Sequence, residues 1–128
     1  MKLLLDTHIV LWAAGQPEKL SKPVRTLLTT SENFLFFSAA SMWEIVIKRG
    51  LGREDFKVNP RRLKKMLIVH GYTELPVTAE HAFTVETLPL LHKDPFDRLL
   101  IAQARTEGML LVTVDTAVSQ YQESVLAV

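Results

Sequence analysis

The sequence predicts an α/β protein with a central parallel sheet of about five strands, covered by helices on both faces. Three observations support this fold class. Segments with strand character alternate with segments with helix character, and no two strand segments are joined by a hairpin turn. The strand segments are continuous apolar runs, which are typical of strands buried on both faces. We therefore expect a single domain over residues 1–128.

The predicted elements follow one another in a regular order. Apolar, often β-branched or aromatic runs that end at polar residues predict the strands. These strands are Lys2–Leu5, Phe34–Phe37, Thr73–Val77, Met109–Val114 and Val125–Val128. Capping residues, glycines and prolines bound the helices. The helices are Ile9–Ala14, Lys22–Leu28, Ala39 to about Arg49, Pro60 to His70, Thr78 to about Glu86, Asp94 to near Gly108, and a short one at Thr116–Tyr121.

The helix that follows Asp94 has the most strongly specified start in the chain. Asp94 is suited to cap it, and Pro95 comes at the first helical position, where its missing N–H costs no hydrogen bond. The following run LLIAQA is apolar almost all round, so the helix is expected to be buried. Asp97 is thus a carboxylate on the first turn of a buried helix, which indicates either capping or chemistry.

Composition and charge narrow the possible classes of protein. The chain has no cysteine, which excludes disulfides and thiolate metal sites and suits a reducing, cytoplasmic environment. No apolar run is long enough to span a bilayer. Between residues 48 and 65 the basic residues far outnumber the acidic ones, so this segment can hold a polyanion or simply form a solvated face. The candidate backbone contacts are Lys48, Arg49, Arg53, Arg61 and Arg62.

Four carboxylates are predicted to meet at one edge of the sheet. Ligands of open parallel sheets bind beyond the carboxyl ends of the strands, where Asp6 and Asp115 follow two of them. Asp97 lies on the first turn of a helix that begins at the same edge. Glu44 is the only charge in AASMWEIVI, on a helix entered directly from a strand. Each acid alone has an ordinary explanation as a turn residue, a cap or an exposed side chain, but convergence of all four indicates a functional site.

Such a cluster requires a counter-ion. Two carboxylates about 5 Å apart repel each other by roughly 3 kcal/mol at an effective dielectric constant near 20. Some carboxylates must therefore stay protonated, or a divalent cation must lie among them. Oxygen ligands favour Mg²⁺ or Mn²⁺, which suits chemistry on phosphates. The same argument predicts that replacing Asp6 or Asp97 with alanine raises the melting temperature of the metal-free protein.

Four segments together resemble the PIN-domain ribonucleases, and among them the VapC-type toxins of bacterial toxin–antitoxin pairs. The segments are LLLDTH, SAASMWEI, LPLLHKDPFDRLLIAQA and LLVTVD, and they span almost the whole chain in the family's order. The resemblance implies a three-layer α/β/α sandwich and Mg²⁺- or Mn²⁺-dependent cleavage of RNA, with tRNA or rRNA as the expected substrate. It also implies a homodimer and a small VapB-type antitoxin whose C-terminal segment covers the active site.

The family's acidic residues carry over onto this chain by position. The implied catalytic residues are Asp6, Glu44, Asp97 and Asp115, and the implied metal ligands are Asp6, Asp97 and Asp115. Thr113, Asp94 and Thr7 are expected to support these acids. The scattered histidines, His8, His70, His81 and His92, are expected to be structural, with a site role considered for His8 because it lies near Asp6.

Two other phosphate-dependent classes fit less well. An aspartyl phosphatase would require a second acid two residues after Asp6, where His8 stands, and a receiver module would require paired acids and a late lysine that the chain lacks. Two alternatives remain open at this point. One is an RNA-binding module without activity, and the other is a PIN-family RNA-processing nuclease without an antitoxin.

Overall fold

The structure, a computed structural model, describes residues 1–128 apart from the side chain of Gln122. Its strands form one parallel sheet. They are β1 (Lys2–Leu5), β2 (Phe34–Ser38), β3 (Thr73–Leu75), β4 (Leu110–Thr113) and β5 (Val125–Ala127). The strand order is β3-β2-β1-β4-β5, so the chain moves outward on one side of β1 before β4 pairs on its other side. This reversal creates a crevice between β1 and β4, the usual place for a ligand in such sheets.

Helices connect the strands. The α-helices are α1 (Thr7–Gly15), α2 (Lys22–Thr29), α3 (Ala39–Gly50), α4 (Pro60–Val69), α5 (Ala79–Val85) and α6 (Pro95–Glu107). Short 3₁₀ turns occur at Pro17–Lys19, Glu54–Phe56, Val118–Gln120 and Gln122–Ser124. Within the part of the chain that the structure describes, no helix is both long enough and apolar enough to cross a membrane.

The two faces of the sheet carry separate apolar clusters. In β1, Leu3 and Leu5 belong to one cluster and Leu4 to the other, because successive side chains of a strand point to opposite faces. The first cluster packs the sheet against α1 to α4, and the second packs it mainly against α6. All three leucines are fully buried, and each such burial contributes about 2 kcal/mol. The predicted three-layer α/β/α architecture with five parallel strands is confirmed.

Local capping brings three helix starts to the carboxyl edge of the sheet. Asp6, directly after β1, accepts a hydrogen bond from the Ile9 amide and caps α1. Ser38, the last residue of β2, caps α3 in the same way. Asp94 accepts hydrogen bonds from the first-turn amides of α6, as its sequence position predicts. These caps leave no connecting residues between β1 and α1 other than Asp6, so side chains on the first turns lie near the strand ends.

Several predicted boundaries differ from the structure by a residue or two, and three of the differences have a clear physical reason. Helix α1 begins at Thr7 rather than Ile9, because Asp6 itself is the cap. Strand β3 ends at Leu75, since the next residue, Pro76, has no N–H to continue a ladder. The predicted helix at Thr116–Tyr121 is only a 3₁₀ turn, in which the Tyr121 amide bonds to the Val118 carbonyl three residues back.

Candidate active site

A pocket of about 360 Å³ lies at the carboxyl end of the sheet, between β1 and β4. All four acids predicted from the sequence line it, although they come from four different elements of the fold. The carboxylates are those of Asp6, Glu44, Asp97 and Asp115. Thr7, His8, Trp12, Lys48, Asp94 and Val114 complete the lining. The structure therefore brings the predicted acids together.

Asp6 is the most firmly held of these acids. Its side chain is buried, with Oδ1 accepting from the Ile9 amide at 3.0 Å and Oδ2 accepting from the Thr113 hydroxyl at 2.5 Å. Burial raises the pKa of Asp6, while the two hydrogen bonds oppose the shift. The Thr113 hydroxyl also accepts from the Asp115 amide at 3.0 Å. Thr113 thus ties the ends of β1 and β4 together and supports two of the acids.

Glu44 is buried as well, which excludes its interpretation as the solvated side of α3. Its Oε1 accepts from the Thr7 hydroxyl at 2.6 Å, and Thr7 Oγ1 lies 2.9 Å from Ser41 Oγ. Its Oε2 accepts from Lys48 Nζ at 2.5 Å. Lys48, predicted as a contact to a polyanion backbone, forms an ion pair with Glu44 in the pocket, and its Nζ lies 4.9 Å from the centroid of the Phe56 ring. The protein therefore supplies its own cation to this carboxylate.

Asp97 has a different environment. Its Oδ2 lies 2.7 Å from His92 Nε2, and both side chains are 20% exposed. Burial raises the pKa of Asp97 to about 6, the nearby carboxylates of Asp94 and Glu44 add to the rise, and the His92 hydrogen bond opposes it. Burial is the largest cause of this shift, so Asp97 is a carboxylate whose ionised form a nearby positive charge would favour.

His92 is the site residue that the sequence analysis missed. It was expected to be structural, but it lies against Asp97 at the pocket. His92 lies in a loop, where no periodic pattern marks a residue as functional. The one signal in the sequence is its place in HKDPFD, two residues before the helix cap Asp94. His8, which was considered for a site role, lines the pocket and lies 3.3 Å from Asp55. His81, buried in the capping box of α5, has the expected structural role.

Asp115 and Asp94 complete the acidic part of the pocket. Asp115 is exposed, and its Oδ1 accepts from the Ala117 amide at 2.8 Å. Asp94 lines the pocket but uses Oδ1 to accept from the Phe96 and Asp97 amides, so it caps α6 and adds negative charge next to Asp97.

The donor set suits a divalent cation. Ligand atoms of His92, Asp97 and Asp115 all lie within 4.8 Å of one another. The carboxylate oxygens of Asp97 and Asp115 are ligands that Mg²⁺ and Mn²⁺ prefer, and His92 places an imidazole nitrogen beside them. Among the residues that the structure describes, this cluster does not include Asp6, which was predicted as a third metal ligand. It lies in the same pocket, with both carboxylate oxygens already accepting hydrogen bonds.

The predicted basic contacts divide between two surfaces. Lys48 is inside the acid pocket, and Arg53 lies nearby, 5.6 Å from the Phe56 ring. Arg49 and Arg61 instead line a separate cavity of about 590 Å³ between α3 and α4. Arg62 is exposed on α4. The five residues therefore do not form one patch around the acids.

Comparison with known proteins agrees with this architecture. Ribonuclease VapC22 of Mycobacterium tuberculosis (strain ATCC 25618 / H37Rv) is 29% identical over 114 residues, which cover 88% of this chain and 86% of that protein. The fold is similar to a chain of VapBC2 from Rickettsia felis bound to a promoter DNA fragment, with a TM-score of 0.71, 16% identity, and coverage of 98% of this chain and 97% of that one.

A second solved structure, VapBC-1 from nontypeable Haemophilus influenzae, has a TM-score of 0.66 and 16% identity, and the match covers 99% of this chain and 98% of that chain. At such identities the structural matches establish a shared fold. The family assignment comes from the sequence, because residues 3–123 match the PIN domain family over nearly the full chain. The resemblance seen in the four motif segments is thereby confirmed: the chain belongs to the PIN domain family.

Proposed function

We propose that this protein is a metal-dependent endoribonuclease that acts as the toxin of a VapBC-type toxin–antitoxin pair. The observation that carries the proposal is the meeting of Asp6, Glu44, Asp97 and Asp115 in one pocket of a PIN fold. The similarity to Ribonuclease VapC22 supports RNA as the substrate class. The expected substrates are tRNA or rRNA, and the expected location is the cytoplasm, where these RNAs occur.

The four acids would have different roles in the reaction. Asp97 and Asp115 would hold Mg²⁺ or Mn²⁺, with Asp6 as a third carboxylate across the pocket. When bound, the cation supplies charge shielding for the phosphodiester and lowers the pKa of a water molecule for in-line attack. Asp6 and Glu44 are oriented beforehand by Thr113, the Ile9 amide, Thr7 and Lys48, so they need no reorganisation as the phosphate arrives. Lys48 and Arg53 would face the RNA backbone beside the pocket.

The proposal includes two protein partners. A small VapB-type antitoxin would cover the pocket with its C-terminal segment, as the similarity to chains of VapBC complexes suggests. An arginine of such a segment is a suitable inhibitor, because its planar guanidinium pairs with two carboxylate oxygens and replaces the cation. The toxin itself is expected to be a homodimer.

Cleavage of defined RNAs tests the proposal directly. The purified chain is incubated with tRNA and rRNA fragments in Mg²⁺, Mn²⁺ or chelator, beside an Asp97→Asn variant prepared in the same way. We expect discrete cuts that require a divalent cation and are absent in the variant. Equal cleavage by the variant would identify a contaminating nuclease, and binding without cleavage in any metal would favour the non-catalytic RNA-binding module.

The antitoxin is tested separately. A small neighbouring gene that encodes a DNA-binding protein is expected, and its product should suppress RNA cleavage when the two are co-purified. An active nuclease with no such neighbour would instead be the RNA-processing enzyme without an antitoxin.

A further inference from the structure

The loop between α5 and α6 is held by a buried tyrosine from the far end of the chain. Tyr121 is 3% exposed, and its hydroxyl accepts hydrogen bonds from the amides of Leu91 and His92 at 3.1 and 3.0 Å. The same hydroxyl donates to the Pro89 carbonyl at 2.7 Å. One phenol oxygen therefore contacts three backbone groups of the loop that carries His92.

Arg98 fixes the same loop from within α6. Its Nη1 donates to the Pro89 carbonyl at 3.2 Å, to the His92 carbonyl at 3.3 Å and to the Tyr121 hydroxyl at 3.1 Å. Its Nη2 donates to the Val85 carbonyl at the end of α5. A guanidinium that donates to three carbonyl groups reduces the conformational freedom of the loop.

The fixed loop aims His92 at the acid pocket. Nε2 of His92 lies 2.7 Å from Oδ2 of Asp97, and the ligand atoms of both residues lie within 4.8 Å of Asp115. His92 binds only one of the two oxygens of Asp97, which leaves the other for a cation. Histidine and carboxylate pairs commonly fix the orientation of a metal ligand, and loss of such a partner typically costs about 10- to 100-fold in metal affinity.

We propose that His92 is a positioning residue of the acid pocket: it orients the Asp97 carboxylate for a divalent cation, and Tyr121 and Arg98 hold the loop that makes this contact possible. The inference rests on the proposed function, because it assigns a role within the same site. It predicts that Mn²⁺ affinity depends on the hydrogen bond that Nε2–H of His92 donates to Asp97. A different side chain that offers an N–H at the same place should therefore substitute for His92.

Calorimetric titration of the full chain with Mn²⁺ alone tests the role of His92. His92→Ala should weaken Mn²⁺ binding by about 10-fold or more, whereas His92→Gln, whose amide can reach Asp97, should stay within about 3-fold of wild type. His70→Ala is the matched control, because His70 is exposed and bonds to the Met66 carbonyl. Wild-type affinity in His92→Ala would overturn the proposal, and so would a glutamine variant as weak as the alanine variant, because the ring nitrogen would then be binding the ion itself.

Tyr121→Phe tests the loop attachment while keeping the buried ring. The variant should lower Mn²⁺ affinity in the same direction as His92→Ala but less, by about 3- to 10-fold, and lower kcat for RNA cleavage without raising KM. Tyr72→Phe is the control, because Tyr72 is the only other tyrosine in the sequence. A Tyr121→Phe variant that melts at a lower temperature but binds Mn²⁺ like wild type would show a purely structural hydroxyl and overturn this part.

The two proposals fail in different ways. Mn²⁺ binding that depends on His92, in a protein that cuts no RNA, would support the positioning role and contradict the nuclease. Metal-dependent RNA cleavage with a His92→Ala variant unchanged in Mn²⁺ affinity and kcat would contradict only the positioning role. A wild-type chain that binds no Mn²⁺ at all would overturn both.

Discussion

The two sides of the acid pocket differ in the hydrogen-bond donors that stabilise their carboxylates. On the hydroxyl side, Asp6 and Glu44 are buried and accept hydrogen bonds from the Ile9 amide, two threonine hydroxyls and the ammonium group of Lys48. On the loop side, Asp97 and Asp115 are more exposed to solvent, and among the described contacts they accept from His92 and from one backbone amide.

This difference indicates that the four acids are not equivalent. The hydroxyl side is stabilised by donors that belong to the fold, so its carboxylates also contribute to the structure. Burial raises the pKa of one acid on each side, Asp6 and Asp97, so the difference lies in the donors, of which the loop side has fewer. We infer that a cation contributes most of its stabilisation on the loop side. Four predictions, from the largest expected effect to the smallest, test the contrast.

The first prediction concerns activity. Asp97→Asn should reduce single-turnover RNA cleavage by at least about 100-fold, because it removes charge from the side of the pocket where a cation is expected. Circular dichroism should show an unchanged fold, since the amide preserves size and can still accept a hydrogen bond from His92. Near-wild-type cleavage by a folded Asp97→Asn variant would mean that the loop side does not hold the catalytic ion.

The second prediction concerns the ion pair on the hydroxyl side. Lys48→Met removes the cation beside Glu44 and near the Phe56 ring but keeps an unbranched side chain of similar length, and it should destabilise the protein by about 1–2 kcal/mol. Adding Glu44→Gln should recover most of the loss, because no buried charge is then left unpaired. Chemical denaturation of the two variants and of Glu44→Gln alone completes a double-mutant cycle. Strictly additive changes would show that the pair is not coupled.

The third prediction compares one acid from each side in metal-free buffer at neutral pH. Asp97→Ala should raise the free energy of unfolding by about 1 kcal/mol. This value is smaller than the free energy that corresponds to the full pKa shift, because the side chain is partly solvated. Asp6→Ala should lower it by about 1 kcal/mol, because it removes the cap of α1 and leaves the Thr113 hydroxyl without its acceptor.

This outcome differs from the sequence-based expectation, in which both alanine variants become more stable. Melting temperatures measured after exhaustive chelation decide between the two. Shifts of the same sign in both variants would remove the distinction between the sides, whereas opposite signs would establish it.

The fourth prediction concerns pH. The pKa of Asp97 is raised from 3.8 to about 6 in the folded chain, so the folded state binds this proton more tightly than the unfolded state does. Its contribution to stability therefore falls as pH rises from about 4 to about 6 and is constant above that range. The melting temperature of Asp97→Asn should exceed that of wild type by an amount that grows over this interval. Saturating Mn²⁺ should reduce this difference, because the ion stabilises the wild-type protein. A difference that does not change with pH would assign the stabilisation to something other than this carboxylate.

The sequence alone determined the fold class, the parallel sheet and the identities of the four acids. These properties depend on local patterns: continuous apolar runs identify strands buried on both faces, and capping residues mark where helices begin. Since helices that follow parallel strands start at the carboxyl edge, even the meeting of Asp6, Asp97 and Asp115 could be predicted from the order of elements. Glu44 could be predicted to reach the same edge because its helix is entered directly from a strand.

The tertiary structure alone decided what each acid contacts. His92 reaches Asp97 because Tyr121, almost thirty positions further along the chain, fixes the intervening loop, and no local pattern encodes that contact. Lys48 follows Glu44 by four residues on one helix, so the sequence allows their pairing, but only the tertiary structure shows that Glu44 is buried and paired with Lys48. Hydrogen bonds and burial, which depend on neighbours distant in sequence, thus separated the acids that the fold already stabilises from those whose charge a cation would balance.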